Sequence, residues 1–256
     1  MGPEKVALEI AIVILACGAL GLLLQRALPE RYTIGPARDM VGAIVGLLTL
    51  LSALTLGLLI WTAYGVYAGQ NVAVQTLAAK VLQLDMALED YGPEAKPTRI
   101  MLRQRLGKAI DEIWNADMTD GEFVAKSFAA ALAIMKTHDG LLAKLQPATD
   151  EQRTALATAN AALDAIGQSR LQMSFALSAP VSYPLVWTVV SWVALGFLGN
   201  GLMSKGSPTS VIAIVLGALA MASAFYMILD LSSPYMGVFR PSPAPLEQVL
   251  AVMGKE

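Results

Sequence analysis

Residues 40–68, MVGAIVGLLTLLSALTLGLLIWTAYGVYA, decide the fold. The run holds no charged side chain. A helix needs about 20 apolar residues to cross a hydrocarbon core of about 30 Å, and this run exceeds that. Its apolar and polar residues do not alternate, and backbone groups in lipid must be satisfied within the segment. The run therefore reads as a membrane helix and not as a barrel strand. Three further runs share its character: residues 6–28, broken only by Glu9 and Gln25; residues 183–203, uncharged; and residues 209–230, ending at Asp230. Short connections at 29–39 and 204–210, the latter with Lys205, Gly206 and Pro208 as helix breakers, pair the spans into two hairpins. The first run is longer than the about 7–15 residues of a signal-peptide core, and its Ala16-Cys17-Gly18 lies mid-run, so it reads as a retained span.

Composition agrees. Of 256 residues, 55% are hydrophobic and 15% charged, whereas soluble domains carry about 25% charged residues. Such a chain is too apolar for disorder. One cysteine excludes a disulfide scaffold. A net charge of −2 lacks the basic field that nucleic-acid binding requires, so no nucleic-acid partner is expected.

Between the hairpins, residues 70–180 have ordinary polarity and helical spacing. Val74, Leu77, Val81, Leu84, Leu88 and Tyr91 follow a 3-4-3-4-3 pattern, a coiled-coil-like stripe that offers a surface for self-association. No strong breaker separates it from the second span, so the spacing predicts one helix from about residue 40 to Tyr91, stopped by Gly92-Pro93. Pro97 opens a further helix with Leu102, Leu106, Ala109, Ile110 and Ile113 on one face. Thr119-Asp120-Gly121-Glu122 and Thr149-Asp150-Glu151-Gln152 read as capping boxes of two more, the first with Val124, Phe128, Ala131, Leu132 and Met135 inward. The chain is thus all-α: transmembrane hairpin 1 at 1–69, a helical extramembrane domain at 70–180, hairpin 2 at 181–233 and a tail at 234–256. Four spans put both termini and the middle domain on one side, expected to be the cytoplasmic one.

Catalytic or metal chemistry has little to work with. The chain has one histidine, His138, and one cysteine, Cys17, whereas zinc takes three or four nitrogen or sulfur ligands. The acidic run Asp117–Glu122 does not meet calcium-loop spacing, and no phosphate loop or nucleophile motif occurs. No enzyme, cofactor or metal is expected. Arg99, Arg103, Arg105 and Lys108 form a basic helix face, solvated or touching anionic lipid or a partner. On the second span, Gly42, Gly46, Thr49, Ala53 and Gly57 share one face, which reads either as small-residue helix packing or as a pore lining. The pore-lining candidates are Thr49, Ser52 and Thr55 with Leu48 and Leu51. Trp61, Tyr64 and Tyr67 form an aromatic collar or an interfacial belt. Asp230 is expected to cap or pair at the interface, with Arg240 or with a neighbouring subunit.

Three stretches carry a resemblance: residues 39–67, residues 70–96 (QNVAVQTLAAKVLQLDMALEDYGPEAK) and residues 227–250 (MILDLSSPYMGVFRPSPAPLEQVL). The most specific part is Leu229-Asp230-x-x-x-Pro234-Tyr235-x-Gly237, followed by Arg240 and Ser242. In these stretches the chain resembles the bacterial bestrophin-like family of unknown function. The resemblance implies kinship with bestrophins, pentameric anion channels with four spans per subunit and a pore lined by the second helix. The phenylalanine-rich neck and acidic calcium clasp of bestrophins are not found, and Leu47, Leu48, Leu51 and Leu54 are the residues available as an aliphatic gate.

Two functions follow as expectations. The first is a homo-oligomeric channel in the bacterial inner membrane, a pentamer by the resemblance, passing inorganic ions with anions ahead of cations. The second is a non-conducting membrane scaffold or stress-response protein whose helical domain binds a partner.

Overall fold

A computed structural model describes residues 2–28, 35–114, 128–129, 132, 142–177, 182–204, 207–235 and 237–253. Its named helices are α1 (Pro3–Ala27), α2 (Pro36–Tyr91), α3 (Lys96–Trp114), α4 (Asp150–Leu177), α5 (Tyr183–Met203), α6 (Pro208–Ser232) and α7 (Ala244–Val252). There is no strand among the described residues. Four helices, α1, α2, α5 and α6, are long and apolar enough to cross a membrane. The chain divides into two compact units. The first comprises Met1–Gly65 and Val181–Ser232; the second comprises Val66–Pro180 and Ser233–Glu256.

In the first unit α1 packs against both α5 and α6. Small residues let the backbones approach. A side-chain carbon on Gly21 would collide with the Leu198 carbonyl, and one on Gly201 would sit 2.5 Å from the Gly18 carbonyl. One on Gly18 would lie 2.7 Å from the Ile214 side chain. Lipid supplies no hydrophobic drive between helices, so van der Waals contact at such close crossings holds them together. α2 meets α5 where Val45 fills the space beside Gly199, and Gly42 faces Met203. By contrast, a side-chain carbon on Gly46 or Gly57 would enter open space. Small-residue packing, one of the two readings of the second span, is therefore found at the α1–α5 crossing, whereas α2's own glycine row leaves Gly46 and Gly57 uncovered.

α2 is a single helix of 56 residues. It begins after Gly35, whose φ of 69° only glycine adopts readily, and ends before Gly92, with φ 109°. The chain then tightens into the 3-10 turn Pro93–Ala95 and leads into α3. Val74, Leu77, Val81, Leu84, Leu88 and Tyr91 are all buried in the core of the second unit, with Leu102, Leu106 and Ile110 of α3, Ala159, Leu163 and Ile166 of α4, and Leu246 and Val249 of α7. This corrects the expectation that the stripe serves self-association: the chain's own helices consume it.

Local signals explain the rest. Thr149 caps α4, its hydroxyl accepting from the Gln152 amide at 3.2 Å. The Gln152 side chain reaches back to accept from the Ala148 amide at 2.8 Å, completing a capping box one residue wider than expected. Arg99 of α3 grips Asp85 of α2 with two hydrogen bonds of 3.0 Å and reaches Glu89 at 3.2 Å. This locks the turn at Gly92, and Asp85 is only 4% exposed. The capping box at Thr119–Glu122, the calcium-like run and His138 lie outside the described residues. Phe128, expected inward, is exposed and tilts against Phe175 at 5.9 Å between ring centres.

Candidate functional site

The candidate site is the outer surface of α2. In the first unit its buried residues are Val45, Ser52, Leu56, Leu59 and Ala63; in the second they include Gln70, Val74 and Leu77. At 100° per residue the face opposite these in the first unit is Ala43, Leu47, Leu50, Leu54, Gly57, Trp61 and Gly65, and the face opposite Gln70, Val74 and Leu77 in the second unit is Val72, Thr76, Ala79, Gln83 and Met86. Every one of these residues is exposed. Leu50 is 68% exposed, Leu54 74%, Trp61 73%, Val72 60% and Met86 56%. Within each unit, steps of three and four keep these residues on one side of the helix. No residue of the row carries a charge.

The expected pore residues divide between these faces. Ser52 is turned inward, 4% exposed, with its hydroxyl unpartnered among the described residues. Leu48 and Thr55 are half-buried, flanking Ser52; Thr49 and Leu51 stand at the edges of the exposed surface. Both threonine hydroxyls bond back along the helix, Thr49 to the Val45 carbonyl and Thr55 to the Leu51 carbonyl, each at 2.8 Å. Such bonds let a hydroxyl sit in an apolar span without a further partner. The five candidates therefore do not share one exposed face. Among the collar residues, Trp61 and Tyr64 are exposed. Tyr67 is half-buried and meets Phe239 edge-on at 6.5 Å.

The C-terminal motif builds an anchor in the second unit. Tyr235 is buried, and its hydroxyl donates to Oε1 of Gln70 at 3.2 Å. The Gln70 amide donates in turn to the Met173 carbonyl of α4 at 3.5 Å. The Tyr235 ring stands edge-on to Trp114 at 6.0 Å, and the Trp114 indole donates to the Pro241 carbonyl at 2.7 Å. Arg240 donates to the Gly237 carbonyl at 3.1 Å and to the Trp114 carbonyl at 3.3 Å, capping the end of α3. Pro234 is buried beside Tyr235. Burial pushes the Tyr235 phenol above its ordinary value of 10.0, because the anion would be desolvated. Burial likewise presses the Arg170 guanidinium of α4 below the ordinary guanidinium range, with Glu112 opposing. In the first unit Asp230 is fully buried and takes part in a side-chain hydrogen bond with Tyr226, one turn earlier on α6. Gln70 and Trp114 were not singled out from sequence: each looks like one more helical residue until the tail is laid on it.

A family model of the Bestrophin-like domain matches residues 12–246, nearly the whole chain. The chain belongs to the bestrophin-like family. No curated protein and no solved structure matches it. This bestrophin-like chain is a membrane protein by its four apolar helices. Among its described residues no group of three or more histidine, cysteine, aspartate or glutamate side chains stands together as a metal site.

Proposed function

We propose that this bestrophin-like protein is a homo-oligomeric ion channel, a pentamer, in which copies of α2 surround the pore. The observation that carries the reading is the uncharged outer row of α2. Within an apolar span such a row needs no explanation, since lipid covers it. In the second unit α2 has an exposed uncharged row of its own, Val72, Thr76, Ala79, Gln83 and Met86, two interleaved heptad-spaced sets on a stretch of ordinary polarity. An exposed helical face with that spacing and no charge suits a seam between helices. A second copy of the chain is the occupant the row favours. Cyclic symmetry brings the same row of every copy to one axis and turns the apolar part, Leu47, Leu50, Leu54 and Trp61, toward it. A single four-span subunit has no room for a hydrated path, so conduction needs this assembly. The channel is placed in the bacterial plasma membrane with the helical domain and both termini cytoplasmic, and it performs no catalysis.

Native mass spectrometry of detergent-extracted protein, paired with ion flux in proteoliposomes, tests the reading. A closed ring of copies that conducts supports it. A monomer, or an intact ring that passes neither cations nor anions, overturns it in favour of a scaffold.

A further inference from the structure

Val238 is the most exposed large apolar residue among those described, at 77%, and Phe239 beside it is 42% exposed. From Leu231 to Phe239 the chain carries no charge. Single apolar side chains on a surface need no explanation, but this pair is held out by a built turn. Arg240 closes the turn twice: its backbone amide donates to the Val238 carbonyl at 3.2 Å, and its Nε donates to the Gly237 carbonyl at 3.1 Å. Its Nη1 ties the turn to the Trp114 carbonyl of α3 at 3.3 Å. Tyr235 before the turn and Pro241 after it are buried. The turn is thus a fixed protrusion of the second unit, with apolar side chains at its tip and an exposed cation at its base. Two observations put it beside the bilayer. Phe239 meets Tyr67 edge-on, and Tyr67 stands in the last turn of the uncharged run 40–68 of α2. Val238 also comes only six residues after Ser232, the end of the spanning helix α6.

We propose that the Val238–Phe239 turn is a lipid anchor of the helical domain. Its two apolar side chains enter the boundary between lipid headgroups and acyl chains, with Arg240 at headgroup level. The inference does not depend on the channel reading, because it needs only the spans. Aromatic and apolar residues flanked by Arg or Lys are what fix a protein at that boundary. The occupant is lipid because the turn is contiguous with segments that already lie in lipid: the end of α6 precedes it, and the last apolar turn of α2 touches it. Insertion removes apolar surface from water. The turn is locked by Arg240 before it meets the membrane, so little ordering entropy opposes insertion.

Fluorescence quenching of the full chain in phosphatidylcholine vesicles gives the test. Val238→Cys in a Cys17→Ser background takes an environment-sensitive dye on the turn. Thr158→Cys, at an exposed position on α4 of the same unit, serves as the reference. The two quenchers are aqueous iodide and a phosphatidylcholine with a nitroxide high on its acyl chain. The dye on the turn is expected to be quenched several-fold more by the nitroxide lipid than the reference dye, and several-fold less by iodide. Adding Phe239→Ser is expected to bring both values back toward the reference. Iodide quenching both positions alike overturns the anchor. So does a turn that neither quencher reaches, since protein, a second copy or another chain, then covers it. Equal lipid quenching at both positions, or no response to Phe239→Ser, assigns the insertion to the dye and overturns the proposal as well.

Discussion

The Tyr235 hydroxyl donates to Oε1 of Gln70 across 165 positions of sequence. The bond ties the tail that follows α6 to α2 just past its apolar span. Both groups are buried, and Gln70 is 2% exposed. Tyr235→Phe keeps the ring against Trp114 and removes only the donor. Leaving a buried acceptor unsatisfied costs about 1–3 kcal/mol, so chemical denaturation in detergent should show a loss of that order.

The same residue gives a pH prediction. Burial raises the Tyr235 pKa in the folded protein above its unfolded value of 10.0. Its contribution to stability is therefore fully present below pH 10 and declines above it, as the unfolded state gains by ionising and the folded state does not. The unfolding midpoint of the wild type should fall more steeply above pH 10 than that of Tyr235→Phe. Parallel curves for the two proteins would contradict this.

Arg99 and Asp85 join α3 to α2 through a two-pronged contact, and Asp85 is far less exposed than Arg99. Replacing Arg99 by Ala strands a buried carboxylate. Loss of one partner from a buried pair costs about 3–5 kcal/mol, and the partial exposure of Arg99 puts the expected loss near the lower limit. Arg153→Ala, which removes a fully surface pair with Asp150, should change stability by less than about 1 kcal/mol. Equal effects in thermal unfolding would show that burial does not set the difference.

Much of this was legible in sequence because it depends on period and length alone. The absence of charge over residues 40–68 and the 3-4 spacing from Val74 to Tyr91 identify the span and its continuation as one helix. The direction in which each face points was not legible. The Val74 stripe fits an intermolecular seam as well as it fits a core, and only the covering helices α3, α4 and α7 distinguish them. Thr49, Ser52 and Thr55 look alike as small hydroxyls in a span. They differ because α2 turns 100° per residue, which puts Ser52 at the centre of the buried face. The Tyr235 motif was visible, but its partner Gln70 lies far away in sequence and carries no periodic signal.

Glycine positions separate packing inside the subunit from its outer surface. Gly21→Leu drives a side chain into the Leu198 backbone, where nothing flexible can give way, and should unfold the first unit or cost more than about 3 kcal/mol. Gly46→Ala meets open space in the middle of a helix and should be neutral or stabilise by up to about 1 kcal/mol. Helix content and the midpoint of unfolding in SDS titration check both.

Leu54 and Leu56 lie two residues apart with opposite surroundings: Leu54 is 74% exposed on the outer row, and Leu56 is 7% exposed on the inner face. In the channel reading a ring of Leu54 side chains narrows an apolar path, and such a constriction blocks ions by shedding water. Leu54→Ser should wet it and raise flux several-fold in proteoliposomes at equal protein, with little change in thermal stability. Leu56→Ser removes packing among the subunit's own helices and buries a hydroxyl, costing about 2–4 kcal/mol without a gain in flux. The contrast needs both variants, because a leaky, half-unfolded protein also raises flux. Increased flux from Leu56→Ser alone, or none from a stable Leu54→Ser, would place the ion path on a different face of α2.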